Sequence, residues 1–242
     1  SSIGTPGGWI LDNNGSITNV LTLAGTAPTI TVNALASGRV ATISLVLAGS
    51  SGLRKEGLGT LVLSGANTYT GATVVTGGVL RLTDSNALGG SATVTMTSPA
   101  QLELSGGLTF GLGSTITING SGGANFAGSL QSASGINVWA GNVVIGSSGS
   151  RVGAQTGATL DISGVISSGT TGFNLTVRNA DQTGTTILSG ANSYNGSTTV
   201  LGRLSVALIG SVGSLSSNLG APTTAGNAQI NLGLGANTAT LI

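Results

Sequence analysis

A five-residue pattern occurs six times in the 242-residue sequence: a hydrophobic residue, any residue, a second hydrophobic residue, a small residue and glycine. The middle position holds Glu103 or Asp161 in two copies while its neighbours are Leu or Ile, so alternate side chains face a core and solvent. Each copy therefore predicts a short β-strand that ends at a glycine turn. The copies are Leu21–Gly25, Leu45–Gly49, Leu61–Gly65, Leu102–Gly106, Leu160–Gly164 and the variant Thr186–Gly190.

The spacing of the copies predicts how the strands are arranged. The copies begin 24, 16, 41, 58 and 26 residues apart; if the two longest intervals hold two and three periods, eight periods of about 20.6 residues span the set. A repeat of this length, built from short strands and glycine turns, is the signature of a solenoid. We therefore predict an all-β fold, a right-handed parallel β-helix (β-solenoid) with about 20 residues per coil. We expect residues 1–242 to form a single solenoid segment.

Composition supports strands and argues against helices and disorder. Only 5% of the residues are charged, and 43 are glycine, so Ser, Thr and Asn must supply most of the polar side chains on the surface. These residue types suit turns and pleated surfaces better than helices. Hydrophobic residues make up 39% of the chain and recur at ordered spacing, which predicts a core to bury.

The low charge also limits the partners of the chain. A net charge of +1 comes from seven basic and six acidic residues that form no patch, so we expect no nucleic-acid partner. No uninterrupted apolar run approaches the roughly 18 residues of a membrane-spanning helix. We therefore expect a chain that is not itself embedded in a membrane.

The residues that carry chemistry are sparse. The sequence has no His and no Cys, and no two acidic residues lie within four positions of each other. At the predicted coil length Asp161 and Asp181 could stack on adjacent coils, but solvated surface or turn positions are the favoured interpretation. Lys55 is the one candidate amine base, and its charged neighbours favour a solvated loop between two coils. We predict no catalytic residues, no metal ligands and no cofactor. The acidic residues are Asp12, Glu56, Asp84, Glu103, Asp161 and Asp181.

The sequence also contains a repeat unit that is longer than one coil. The segment Gly59–Gly71, GTLVLSGANTYTG, returns as Gly184–Gly196, GTTILSGANSYNG, with an offset of 125 residues. Each copy continues into a Thr/Val-rich strand, a glycine turn and a further strand. Tyr69 and Tyr194 recur at matching places, where each could cover the edge of the core, the favoured interpretation, or stack on a glycan or on a partner surface. The asparagines are expected to form an internal or turn-capping ladder.

This longer unit strongly resembles the passenger-associated transport repeat of bacterial autotransporters, which use type V secretion. The resemblance covers residues 43–90 and 160–207, which we take as the two repeat units. It implies a β-helical passenger or stalk on the outside of a diderm bacterium, with the repeat associated with efficient secretion. The second copy departs from the first at Thr186, and before Gly184, where a longer segment replaces Arg54–Leu58.

We therefore expect a non-enzymatic scaffold or stalk segment of an extracellular or surface-attached adhesin. Its expected partners are further copies of itself, or the rest of a longer parent chain, through end-to-end or lateral stacking into filaments. Host or surface glycans are a further expected partner. The alternative is a carbohydrate-active or glycan-binding β-helix, either a lyase or hydrolase or a tailspike-like module.

Overall fold

Every regular element of the described chain is a β-strand, as the five-residue pattern predicts. The computed structural model describes residues 8–12, 14, 19–34, 39–123, 128–169, 172–179, 183–210, 217–224, 227, 229–233 and 240–242. The strands are β1 (Gly8–Leu11), β2 (Val20–Thr22), β3 (Thr29–Thr31), β4 (Val40–Ile43), β5 (Val46–Ala48), β6 (Leu53–Glu56), β7 (Thr60–Leu63), β8 (Thr73–Val75), β9 (Val79–Leu82), β10 (Thr93–Met96), β11 (Gln101–Ser105), β12 (Thr109–Phe110), β13 (Thr115–Ile118), β14 (Leu130–Ser134), β15 (Ile136–Trp139), β16 (Asn142–Ile145), β17 (Arg151–Ala154), β18 (Thr159–Ile162), β19 (Ile166–Ser167), β20 (Leu175–Arg178), β21 (Thr185–Leu188), β22 (Thr198–Leu201), β23 (Arg203–Val206), β24 (Ile230–Leu232) and β25 (Thr240–Leu241).

The strands stack in parallel on three faces, and the chain passes along the faces in a fixed order. The first face is a ten-stranded sheet, β1-β4-β7-β9-β11-β14-β17-β20-β22-β24. The second face holds the two-stranded sheet β2-β5 and, further along, the six-stranded sheet β12-β15-β18-β21-β23-β25. The third face is the seven-stranded sheet β3-β6-β8-β10-β13-β16-β19. The prediction of a parallel β-solenoid is confirmed.

Some coils have no strand on one face, yet their backbone still stacks there. On the second face, Thr68 and Thr70 donate backbone hydrogen bonds to the carbonyls of Leu47 and Gly49 in the preceding coil. On the third face, Ser193 donates to the carbonyl of Ile166 in the same way. The three-faced cross-section therefore continues through both segments.

Each coil takes about 23 residues, slightly more than the predicted 20. Seven coils separate the start of β4 at Val40 from the start of β22 at Thr198. The predicted length was too short because the five-residue pattern is not confined to one face. Its copies at Leu61 and Leu102 lie on the first face, whereas the other four lie on the second. The intervals thus contain fractions of a coil, and seven coils, not eight periods, span the set.

Columns of inward side chains form the core between the faces. On the first face, residues in register from β7 to β22 are all buried, because the period of two along each strand turns them to the inside. One such column is Leu61, Leu80, Leu102, Leu130, Val152, Val177 and Val200.

The glycine that closes the five-residue pattern is needed where stacked coils approach closely. A Cβ on Gly65 would collide with the carbonyl oxygen of Leu45, and one on Gly190 would collide with that of Gly164. Both collisions are with the backbone of the preceding coil, which cannot move aside. At Gly49, Gly65, Gly164 and Gly190 the pattern thus ends at a corner where two coils touch, whereas a Cβ on Gly25 or Gly106 would meet no backbone of another coil.

Candidate functional site

The two long repeat units are rotated by one face relative to each other. In the first unit, β7 lies on the first face, β8 on the third and β9 on the first again. In the second unit the equivalent strands β21, β22 and β23 lie on the second, first and second faces. The offset of 125 residues is thus five coils plus one face. The unit keeps its sequence while its place around the axis changes, so the contacts that both units share do not depend on which face a strand occupies.

The asparagine of each unit connects three successive coils. The Leu47 amide donates to Asn67 Oδ1 at 2.8 Å, and Asn67 Nδ2 donates to the Ala87 carbonyl at 2.6 Å. In the second unit the Ile166 amide donates to Asn192 Oδ1 at 2.7 Å, and Asn192 Nδ2 donates to the Asn218 carbonyl at 2.8 Å. Both side chains are buried, so water cannot replace these partners. We call Asn67 and Asn192 the coil clamps.

Buried asparagines outside the clamps play the same role. Asn179 accepts a hydrogen bond from the Ala154 amide at 3.0 Å and donates one to the Arg203 carbonyl at 2.8 Å, again linking the coils on either side. The expected asparagine ladder is therefore a set of internal bridges between coils. Asn137 and Asn218 are further members, each buried and bonded to the backbone of the preceding coil.

The tyrosine of each unit is part of the core. The Tyr69 hydroxyl lies 2.8 Å from Thr73 Oγ1, and the Tyr194 hydroxyl lies 2.6 Å from Thr198 Oγ1. Neither ring has any exposed surface, and burial raises the pKa of Tyr69 to about 12 and that of Tyr194 further still. The interpretation that places these rings at the core is right, and stacking on a glycan or on a partner surface is wrong.

Lys55 is buried, so the prediction of a solvated loop is wrong. It is the third residue of β6 and shares an inward column with Ile30 and Val75. Its Nζ donates to the carbonyls of Gly57 at 2.7 Å, Gly59 at 2.6 Å and Gly77 at 2.7 Å. Burial lowers the pKa of Lys55 to about 8. The alternation Leu53, Lys55 along the strand was the signal for an inward side chain, and the charged neighbours masked it.

The corner after this strand has a buried donor in both units. In the first unit Lys55 donates to Gly77 in the next coil, and in the second Asn179 donates to Arg203 in the next coil. The second unit therefore keeps a corner link between coils although it lacks the lysine.

Glu103 and Asp161, two of the acidic residues, lie on different faces of the rod. Glu103 is only 2% exposed; its Oε2 accepts from Arg81 Nε at 2.8 Å and its Oε1 from Gln131 Nε2 at 2.6 Å, all on the first face. Asp161 lies on the second face, where Ser189 Oγ donates to it at 2.6 Å. Asp181 is outside the described residues, so its stacking on Asp161 stays a prediction.

The described part of the chain contains no group of three His, Cys, Asp or Glu side chains that could hold a metal ion. Nor does it contain a helix long and apolar enough to cross a membrane.

The clamped units are the segments that match a known family. Residues 53–82 and 181–202 match the family model of the passenger-associated-transport-repeat. The resemblance to this repeat seen in the sequence is thus confirmed for these two segments. A named relative is the Adhesin BmaC autotransporter of Brucella suis biovar 1 (strain 1330), 42% identical over 114 residues. The alignment covers 47% of this chain and 3% of the relative, so the chain spans a small part of the relative's length. No solved structure matches the chain.

Proposed function

We propose that this chain is a non-enzymatic scaffold segment of a secreted or surface-attached adhesin of the autotransporter class, and that its repeat units couple export to folding. Its place is the outside of a diderm bacterium. The observation that supports this role is the coil clamp: Asn67 and Asn192 each bond to the coil before and the coil after.

The clamp makes the stacking of each newly exported coil energetically favourable. With one neighbouring coil in place, one end of the buried amide is bonded and the other still lacks a partner. When the next coil stacks, that end gains its hydrogen bond and the clamp is complete. Solenoid coils contact only their neighbours, so folding can propagate along the rod. A folded coil outside a narrow pore cannot slide back, and the clamp thereby favours outward movement.

The test compares clamp and control variants in the full-length parent protein. N67A/N192A removes both clamps, whereas N86A/N231A removes two asparagines whose side chains are exposed. We expect the first pair to lower the amount of protease-resistant passenger at the cell surface and the control pair to leave it unchanged. Equal surface amounts for both pairs, with the N67A/N192A chain shown to be less stable after purification, would disprove the coupling to export.

End-to-end stacking on further coils is part of the same function. At the N-terminal end of the described rod, β1, β2 and β3 are edge strands, and two side chains that head inward columns are partly uncovered: Leu11 is 42% exposed and Leu21 is 36% exposed. An edge of parallel strands over an open apolar interior fits one more coil of the same geometry, from the parent chain or from a second copy.

Electron microscopy of the purified chain tests this stacking. We expect fibres that elongate along the rod axis, and we expect L21K to abolish them, because it places a charge at the partly exposed end of an inward column. Isolated short rods at high protein concentration, or fibres that L21K leaves unchanged, would contradict end-to-end stacking.

A further inference from the structure

One corner of the rod carries an exposed leucine beside a groove. Leu58 lies between Gly57 and Gly59 in the turn from β6 on the third face to β7 on the first face, and its side chain is 72% exposed. The groove begins at Leu58 and continues along the rod over the equivalent corners of the next coils, with a volume of about 460 Å³. A large apolar side chain thus projects next to a space that fits another apolar side chain.

The groove offers apolar surface and no unmet polar requirement. Val79 and Pro99 form part of its walls, and none of its lining residues is charged. Gln101 is buried in its floor, where its Nε2 donates to the Gly128 carbonyl at 3.1 Å. No residue that lines the groove has a buried side-chain nitrogen or oxygen without a partner. A small polar ligand would therefore lack the free polar groups that fix such a molecule in its site.

The outer surface beside the groove is balanced in charge. Arg54 is paired with Glu56 on β6, and Arg81 on β9 is paired with Glu103 on β11. Lys55 points to the inside of the rod and has no exposed surface. A highly charged partner would gain little here, whereas two copies of this corner can meet without opposing rows of like charge.

From this arrangement we infer that a second copy of the chain packs side by side against this corner, antiparallel to the first, with Leu58 of each copy in the groove of the other. A parallel pair in register would bring the two leucines to the same level. The antiparallel pair instead places each leucine opposite the coils that follow, because a two-fold axis passes between the corners at Val79 and Pro99. Each copy then uses the same patch, as a two-fold interface requires.

The rod is long enough for a stable contact of this kind. With the axis between β9 and β11, the first-face strands from β1 to β20 of each copy lie side by side, a length of about 34 Å at about 4.8 Å per coil. A corner with its two flanking strands is about 25 Å wide. This strip has room for the roughly 800 Å² per partner that stable interfaces bury. The contact is separate from export and from end-to-end stacking, so it can fail while those hold.

Sedimentation equilibrium of the full 242-residue chain, with and without L21K, tests the pair. L21K removes end-to-end stacking, and we expect a monomer–dimer equilibrium to remain. In this background L58D should weaken dimerisation about tenfold or more, because its carboxylate would be buried without a partner. L112D is the matched control: Leu112 also lies between two glycines and is 80% exposed, but it lies at a corner between the second and third faces and does not line the groove.

Single cysteines locate the two-fold axis, since the chain has no cysteine of its own. Residue 79 of each copy lies next to the axis, so V79C should form a disulfide-linked dimer on mild oxidation. L58C should not, because the two residues 58 are about 14 Å apart along the rod, too far for a disulfide. Circular dichroism checks that L58D folds, and V79E replaces it if it does not. A chain that stays monomeric at high concentration, equal weakening by L58D and L112D, or a disulfide through L58C in place of V79C would overturn the inference.

Discussion

The coil clamp at Asn67 gives a quantitative prediction for N67A. The substitution removes an oxygen that accepts from the Leu47 amide at 2.8 Å and a nitrogen that donates to the Ala87 carbonyl at 2.6 Å. Both backbone groups then lie in the core with no partner from this side chain. Each orphaned buried group costs about 1–3 kcal/mol, so we expect the free energy of unfolding to fall by about 2–6 kcal/mol.

The assay must resolve local from global stability, because a solenoid need not unfold as one unit. Urea denaturation gives the overall loss, and hydrogen exchange at the Leu47 amide reports the opening of the clamped coils. The matched control is N86A, since the Asn86 side chain is exposed and the hydrogen bonds of this residue are made by its backbone, which the substitution keeps: its amide donates to Asp84 Oδ1 at 2.8 Å and its carbonyl accepts from the Asn67 amide at 3.1 Å and the Gly89 amide at 2.8 Å. We expect N86A to change stability by less than about 0.5 kcal/mol. If N67A and N86A differ by less than that amount, or if exchange at Leu47 is unchanged in N67A, the clamp does not stabilise the rod as described.

Three further predictions concern the other buried groups. Lys55 is the only lysine in the sequence, and its pKa is about 8 in the folded chain against 10.5 in the unfolded chain. Between these values the unfolded chain binds more protons than the folded chain. The free energy of unfolding should therefore rise from about pH 8 to pH 10. Urea midpoints across that range should show the rise in the wild type and not in K55M, and a rise in K55M would contradict it. Y194F should cost about 1–3 kcal/mol and Y69F less, because Thr73 Oγ1 keeps a bond to Ser91 at 3.1 Å; equal losses in urea denaturation would count against this difference. G65A should destabilise the chain by about 1–3 kcal/mol or more, whereas G90A, where a Cβ would meet nothing closer than 3.4 Å, should be tolerated; matching thermal midpoints would refute the backbone collision at Gly65.

The sequence was sufficient for the class of fold but not for the coil length. Alternation around Glu103 and Asp161 and the glycine corners predicted short strands, and the structure has them at those places. The coil length was underestimated because nothing in the pattern reveals on which face a copy lies. Leu61 and Leu160 occur in the same five-residue context, yet they lie on different faces.

The buried polar groups were harder to predict for a different reason. Lys55 lies between Arg54 and Glu56, and local charge predicts exposure, whereas three carbonyls from two successive coils make its burial possible. Those carbonyls come together only after the coils stack. Glu103 is a similar case, because its partner Arg81 comes from the preceding coil, 22 residues earlier. The sequence did predict a ladder of asparagines. It did not predict the hydrogen-bond partners of Asn67 and Asn192, because these partners depend on the true coil length.

The rotation of the second unit by one face has a consequence for the length and orientation of the rod. The two units are offset by 125 residues, so a deletion of 125 residues between equivalent positions would leave one complete unit. Such a deletion would fuse the start of one unit to the end of the other and preserve every local contact of the hybrid unit. The rod would lose five coils, about 24 Å of length, and everything downstream would turn by about a third of a revolution. The number of repeat units would then determine the direction around the rod axis in which the distal surface faces.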